Sequence, residues 1–295
     1  MVRRITVLAL AFSVVFLRLN AAPAQKTYKM ISIDYPNAVA TSIPGGINDR
    51  GEIVGAYTDS SRIVHGFLLS DGTYTSIDVQ GAAITMARGI NSRGDIVGTY
   101  QVTPSKPGGD FHGFLLSDGE LTTINYPHHP NTIIQRISAT GVLVGCYHDA
   151  DTMDSMHGIE LRAHGFQALN VPASMNNGTS PEGNRIAGLY TDMDNQGHGY
   201  VIEQGVFYSF DVPGSKFTAA WDMNASGEIV GVFIDQSNKT HGFLRVGEDY
   251  LSIDFPGATV TRAFGINARG DVVGTYVDSA GVSHGFLAQV AHKKQ

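Results

Sequence analysis

The chain has 295 residues, 42% of them hydrophobic and only 16% charged, with 35 glycines and a formal charge of −7. High glycine with low charge suits many short strands joined by tight turns. An acidic chain with no basic stripe speaks against nucleic acid and anionic membrane surfaces as partners, and the single Cys146 leaves no internal disulfide.

Arg3 and Arg4 precede an apolar run from Ile5 to Leu17, and Ala22-Pro23-Ala24 supplies a small-residue cleavage pattern. Residues 1–24 therefore read as a secretory signal peptide. The apolar run of 13 residues is short of a membrane span, which needs about 20. Removing the segment lowers the basic residues from 20 to 17, against 27 acidic ones. The expectation is a secreted protein, extracellular or periplasmic, with residues 25–290 as one domain and 291–295 as a tail.

From Ile33 onward a block of about 43 residues recurs six times. A glycine inside an apolar strand marks each copy, at Gly55, Gly98, Gly145, Gly188, Gly231 and Gly274. A His-Gly pair follows each marker, starting at His65, His112, His157, His198, His241 and His284. Periods of this length indicate a propeller or solenoid array.

The second copy shows the plan. Thr85–Ile90 reads as a strand, Asn91-Ser-Arg-Gly94 as a turn and Asp95–Tyr100 as a second strand. Phe111–Leu116 is a third strand, and Ser117-Asp118-Gly119 turns the chain into a fourth, Leu121–Asn125. Asn and Asp bond their own backbone in such turns, and Gly takes the positive φ they need. Four short antiparallel strands per repeat describe a propeller blade.

The two ends complete the ring. The last copy, at His284-Gly-Phe-Leu287, lacks its fourth strand, while Tyr28–Asp34 matches the fourth strands Tyr74–Asp78 and Tyr250–Asp254. Pairing the two removes two exposed sheet edges, whereas an open solenoid needs caps instead. The expected fold is all-β, a six-bladed β-propeller closed by the N-terminal strand. The blocks Gly89-Ile-Asn91, Gly94-Asp-Ile-Val-Gly98 and His112-Gly-Phe-Leu-Leu116 resemble the HAF-type extracellular repeat family, from about Tyr28 to Leu287. Blades three and four depart from it at His157-Gly-Ile159 and His198-Gly-Tyr200. The resemblance implies export and carries over no catalytic residues.

Six equivalent histidines make a ring of separate positions, not one cluster. An Asp six residues before four of them (Asp59, Asp192, Asp235, Asp278) is expected to tie strand to loop by a hydrogen bond. Asp34, Asp78, Asp211 and Asp254 read as turn formers, replaced by Asn125 and Asn170. Cys146 reads as a small buried side chain.

Function is expected where the symmetry breaks. Loops on a rigid scaffold carry function, and length changes gather around blades two to four: Pro104–Asp110, Pro127–Pro130 and His148–His157. His128, His129, His148, Asp149, Asp151 and His157 offer nitrogen and oxygen ligands to a divalent metal if these loops converge, though no cofactor is required. Asp192–Glu203 is close to a calcium-loop pattern without the flanking helices. On the inner strands, Arg88, Gln135, Trp221, Arg262 and Phe264 suit an anionic or sugar-like ligand through stacking and bidentate bonding.

No nucleophile elbow, zinc-protease helix or phosphate loop is present. The expected function is therefore a monomeric, non-catalytic binding or scaffold protein, taking glycan, peptide or a surface protein on its loop-rich face. The alternative is an extracellular hydrolase or lyase on a carbohydrate-like substrate, with a loop-built, metal-assisted site, for which His128, His129, His148, Asp149, Arg88 and Arg262 should meet in one pocket.

Overall fold

The computed structural model describes residues 26–102, 111–129, 131–149 and 155–291. The expected signal peptide, the Pro104–Asp110 segment and Asp151 lie outside these residues. The 24 strands of the described residues pair antiparallel within six blades. The chain enters through β1 (Tyr28–Ile33). Blade one is β2 (Ala40–Ile47), β3 (Ile53–Thr58), β4 (Val64–Ser70) and β5 (Thr73–Ile77). Blade two is β6 (Ile84–Ile90), β7 (Ile96–Gln101), β8 (Phe111–Ser117) and β9 (Glu120–Ile124). Blade three is β10 (Asn131–Ile137), β11 (Leu143–His148), β12 (Met156–Arg162) and β13 (Gly165–Pro172). Blade four is β14 (Ser174–Thr179), β15 (Arg185–Thr191), β16 (Gly197–Glu203) and β17 (Val206–Phe210). Blade five is β18 (Phe217–Met223), β19 (Ile229–Ile234), β20 (Thr240–Val246) and β21 (Asp249–Ile253). Blade six is β22 (Val260–Ile266), β23 (Val272–Val277) and β24 (Ser283–Val290), completed by β1. One parallel bridge, Val64 to Ile84, links the sheets of blades one and two.

Closure follows the sequence reading. β1 runs antiparallel to β24, from Tyr28 opposite Val290 to Ile33 opposite Gly285. Lys26 extends the clasp with an ion pair to Glu228 of blade five at 2.5 Å.

The marker glycine is a packing requirement. A Cβ on Gly98 would collide with the Met86 carbonyl and press on the Phe114 ring, and one on Gly274 would meet the Arg262 carbonyl and Phe286. The inner strand and the aromatic of the third strand thus close over the second strand at a point where only hydrogen fits. Phe67, Phe114, Tyr200, Phe243 and Phe286 are fully buried there. Stacked sheets with buried second strands make one core cluster between each neighbouring pair of blades.

The Asn-x-x-Gly turns do more than turn the chain. Asn91 Oδ1 accepts from the amides of Arg93, Gly94 and Asp95 at 3.0–3.1 Å. Its Nδ2 donates to the Ser138 carbonyl of the next blade at 3.1 Å. Asn48 reaches Asn91 in the same way and Asn224 reaches Asn267, both at 3.1 Å. Asn267 reaches back to Asn48 at 3.4 Å across the ring closure. The 43-residue period is therefore also a blade-to-blade hydrogen bond. Asn177 and Asn224, both in glycosylation-type tripeptides, are buried at 0% and 2% exposure, which closes them to a glycan.

Candidate functional site: the axial channel and the histidine rim

Every inner strand breaks register at one height: between Ser42 and Gly46, Ala87 and Gly89, Ile134 and Arg136, Asn176 and Gly178, Ala220 and Asp222, and Ala263 and Gly265. A bulge leaves a residue out of the ladder and re-aims its side chain. In blades two to six the residues left out are Arg88, Gln135, Asn177, Trp221 and Phe264. Four of them are ligand-binding candidates from the sequence, and the fifth candidate, Arg262, precedes Phe264 by two positions. Arg88 Nη1 donates to Gln135 Oε1 at 3.1 Å, and Gln135 Nε2 lies 3.2 Å from Met175 Sδ. Trp221 and Phe264 pack edge to face, with centroids 4.7 Å apart. The bulges thus build one ring, polar on one side of the axis and aromatic on the other.

After the bulge comes a glycine in four blades, Gly46, Gly89, Gly178 and Gly265, but Arg136 in blade three and Asp222 in blade five. These two meet across the axis, Arg136 Nε lying 3.2 Å from Asp222 Oδ2. Arg136 Nη1 donates to the carbonyls of Arg88 and Gln135 at 2.9 and 2.7 Å, and its Nη2 donates to that of Phe264. In blade one Gly45 faces the guanidinium, where any Cβ would collide with it. Burial pushes the Asp222 carboxyl up to about 6, against the pull of Arg136 and the Met223 amide. Arg136 and Asp222 border a 70 Å³ cavity on the Asn-turn side of the axis, so the pair acts as a plug. The sequence reading missed both residues, although a column of glycines broken by one Arg and one Asp was there to be seen.

Two further inner-strand cations, Arg88 and Arg262, have no carboxylate partner among the described residues. Burial lowers Arg88 to about 10, and its Nε is shielded from water with no hydrogen-bond partner. Arg262 is half-buried, burial lowers its pKa, and no hydrogen bond or ion pair holds it among the described residues. Cys146, in the strand next to Ile133, is fully buried, and its thiol is pushed up to about 12. It is an inert packing residue, as expected.

The six histidines form a rim, each beside an Asp or Asn. The expected bonds six residues back are present: His198 to Asp192 at 3.2 Å, with His241 to Asp235 and His284 to Asp278 at 3.4 Å. His65 lies 3.5 Å from Asp59. Shorter bonds run the other way. His65 Nδ1 meets Asp78 at 2.7 Å, His198 meets Asp211 and His241 meets Asp254 at 2.9 Å, and His284 meets Asp34 at 2.8 Å. In blade two Asn125 does the same for His112 at 3.1 Å. The fourth-strand Asp, read as a turn former, is thus a histidine partner. The amide after it is capped by a Thr six residues on, as in Tyr35 to Thr41 and Phe255 to Thr261. Each histidine also packs on the second-strand aromatic, as His157 stacks on Tyr147 and His241 on Phe233.

Blade three departs from the pattern. His129 Nδ1 and His157 Nε2 share the two oxygens of Asp149 at 2.8 and 2.9 Å. His148 lies 3.5 Å from Cys146 Sγ, and His128 is exposed with φ +65. Of the six metal candidates three are brought together, but no trio of His, Cys, Asp or Glu gathers as metal ligands among the described residues. The calcium-like stretch is the repeat's own turn: Asp192 Oδ1 accepts from the amides of Asp194 and Gln196, as Asp59 does in blade one. No bond joins His128, His129, His148 or Asp149 to Arg88 or Arg262 among the described residues.

No family model matches this chain, and no curated protein does. Solved six-bladed propellers do match it in fold. A gluconolactonase from Xanthomonas campestris superposes with a TM-score of 0.56 at 11% identity, over 90% of each chain. AofleA from Arthrobotrys oligospora gives 0.53 at 12% identity, over 91% of this chain and 89% of that one. The Aleuria aurantia lectin in complex with Fucα1-6GlcNAc gives 0.52 at 11%, over 89% of this chain and 91% of the lectin. The same architecture thus serves lectins and an enzyme, and at these identities the likeness is one of fold.

Proposed function

We propose that this is an exported, non-catalytic propeller that binds an acidic saccharide at the mouth of its axial channel, and that it is a member of the HAF-type repeat proteins. One observation carries the reading. Arg88, left out of the ladder at the blade-two bulge, and Arg262, two positions before the blade-six bulge residue, are inner-strand cations with no carboxylate partner among the described residues, while Asp222 is already held by Arg136. A desolvated guanidinium with an unsatisfied N–H favours an incoming carboxylate, which it binds in bidentate fashion. Half-buried Trp221, backed edge to face by buried Phe264, supplies an apolar surface for a sugar ring. Binding is favoured over hydrolysis because the sequence carries no nucleophile elbow, zinc-protease helix or phosphate loop.

The test is calorimetric titration of the mature protein with oligogalacturonate and with its neutral methyl ester. Binding of the acid form alone is expected, weakening with salt. Arg88→Gln and Arg262→Met, each borrowing the residue of another blade, should each weaken it about tenfold or more. Failure of acidic saccharides to bind, or equal binding of the neutral ester, overturns the proposal.

A further inference from the structure

We infer a second, neutral-sugar site in the groove between blades four and five, on the turn face opposite the loop-rich rim and independent of the channel. Three departures from the repeat meet there. Arg245 in β20 stands where the other blades carry Leu69, Leu116, Leu161, Ile202 and Ala288. Arg185, opening β15, replaces the acidic residue found at Glu52, Asp95, Glu228 and Asp271. Tyr208 of β17 replaces Thr75 and Thr122 and is 55% exposed. All three line one cavity of about 320 Å³, together with Glu203, Glu248 and an apolar floor of Met223 and Ile229. Its size is at the lower end of small-ligand pockets, roughly 300–1,000 Å³.

Drift at three unrelated positions would scatter around the ring, whereas here it converges. The groups are also set for a ligand. The Arg245 guanidinium is held over the Phe210 ring at 4.5 Å and bonds Glu248 at 2.8 Å, while its Nε is buried without a partner. Arg185 and Glu203 sit opposite each other in the strand ladder, yet no ion pair joins them among the described residues. Two guanidiniums balanced by two carboxylates leave no net charge, so the site does not select an anion as the channel does. A carboxylate accepting two hydroxyls, a guanidinium donating two N–H bonds and an exposed tyrosine face match vicinal hydroxyls and the apolar face of a pyranose.

The experiment is saturation-transfer NMR, followed by calorimetry, on the mature protein with a panel of methyl glycosides of neutral hexoses, pentoses and deoxyhexoses. At least one should bind. Arg245→Leu and Tyr208→Thr restore residues that the repeat already places there, so the melting temperature should hold while binding weakens at least tenfold. If no neutral glycoside binds, or if binding survives both substitutions, the inference is wrong. The acidic-saccharide titration is a separate measurement on separate residues, so the two proposals fail separately.

Discussion

Arg136 of blade three and Asp222 of blade five pair at 3.2 Å across the axis of the propeller, each from a position where other blades keep a glycine. A ring of six near-identical units has no intrinsic way to close its own axis, because every inner strand presents the same small residue. Two unlike substitutions in the same column solve this, and they do so only together.

Removing one partner should therefore cost more than removing both. Arg136→Gly leaves a buried carboxylate uncompensated, a loss of about 3–5 kcal/mol for pairs of this kind. The double variant Arg136→Gly with Asp222→Gly restores the glycine column and is expected to be less destabilised than the sum of its singles. Urea unfolding of the four proteins in a double-mutant cycle measures the coupling; additive losses would show that the two residues act separately.

Much of the fold was legible in the sequence because the repeat states it six times. The marker glycine, the Asn-x-x-Gly turn and the displaced strand Tyr28–Asp34 each follow from local chemistry that recurs at fixed spacing. The four inner-strand bulge residues were legible by position, since comparing blades picked out Arg88, Gln135, Trp221 and Phe264. The plug was not, because a charge pair between blades three and five depends on which side chains span the axis, and periodicity contains no distance. Asp149 shows the same limit: His129 comes from the loop entering blade three and His157 from β12, and only the fold decides that they share one carboxylate.

The marker glycines should not tolerate a methyl group. A Cβ on Gly274 would collide with the Arg262 carbonyl, which is backbone and cannot swing aside. Gly274→Ala is expected to cost about 1–3 kcal/mol or more, the range for overpacking. Gly281→Ala, in an open turn with nothing near its Cβ but with φ +83, should lose only backbone strain. A lowered midpoint for Gly274→Ala well beyond that of Gly281→Ala, read by chemical denaturation, is the expected result.

The clasp between His284 and Asp34 joins the two ends of the chain, and blade two shows which replacement it accepts. There Asn125 holds His112 at 3.1 Å, as Asp34 holds His284 at 2.8 Å. Asp34→Asn should therefore be nearly neutral, while Asp34→Ala loses a hydrogen bond, about 1 kcal/mol. Deleting residues 26–34 exposes the edge of β24 and should produce aggregation. Melting temperature and light scattering separate the three variants.

The rim also predicts how stability follows pH. Burial works against charging His198 and His284, but hydrogen bonds that His198 donates to Asp211 and Asp192, and His284 to Asp34 and Asp278, outweigh it and raise both pKa values. A histidine raised in the fold stabilises fully below its ordinary value, about 6.5, and loses that contribution as pH climbs through the raised value. The carboxylates behave in the opposite sense. Backbone amides of Gln196 and Val282 hold Asp192 and Asp278 low, and the Ser237 hydroxyl brings Asp235 down to about 2. Their contribution is complete above about 4 and disappears as pH falls towards 2. The rim is thus at full strength between about 4 and 6.5. Asp222, raised to about 6, adds to the acidic side of that window, because the folded state takes up a proton there that the unfolded chain does not. Melting temperature scanned from pH 3 to 9 should peak within the window and decline on both sides. The double variant His198→Gln with His284→Gln should flatten the alkaline decline while leaving the acidic one in place; an unchanged alkaline slope would remove the rim as its cause.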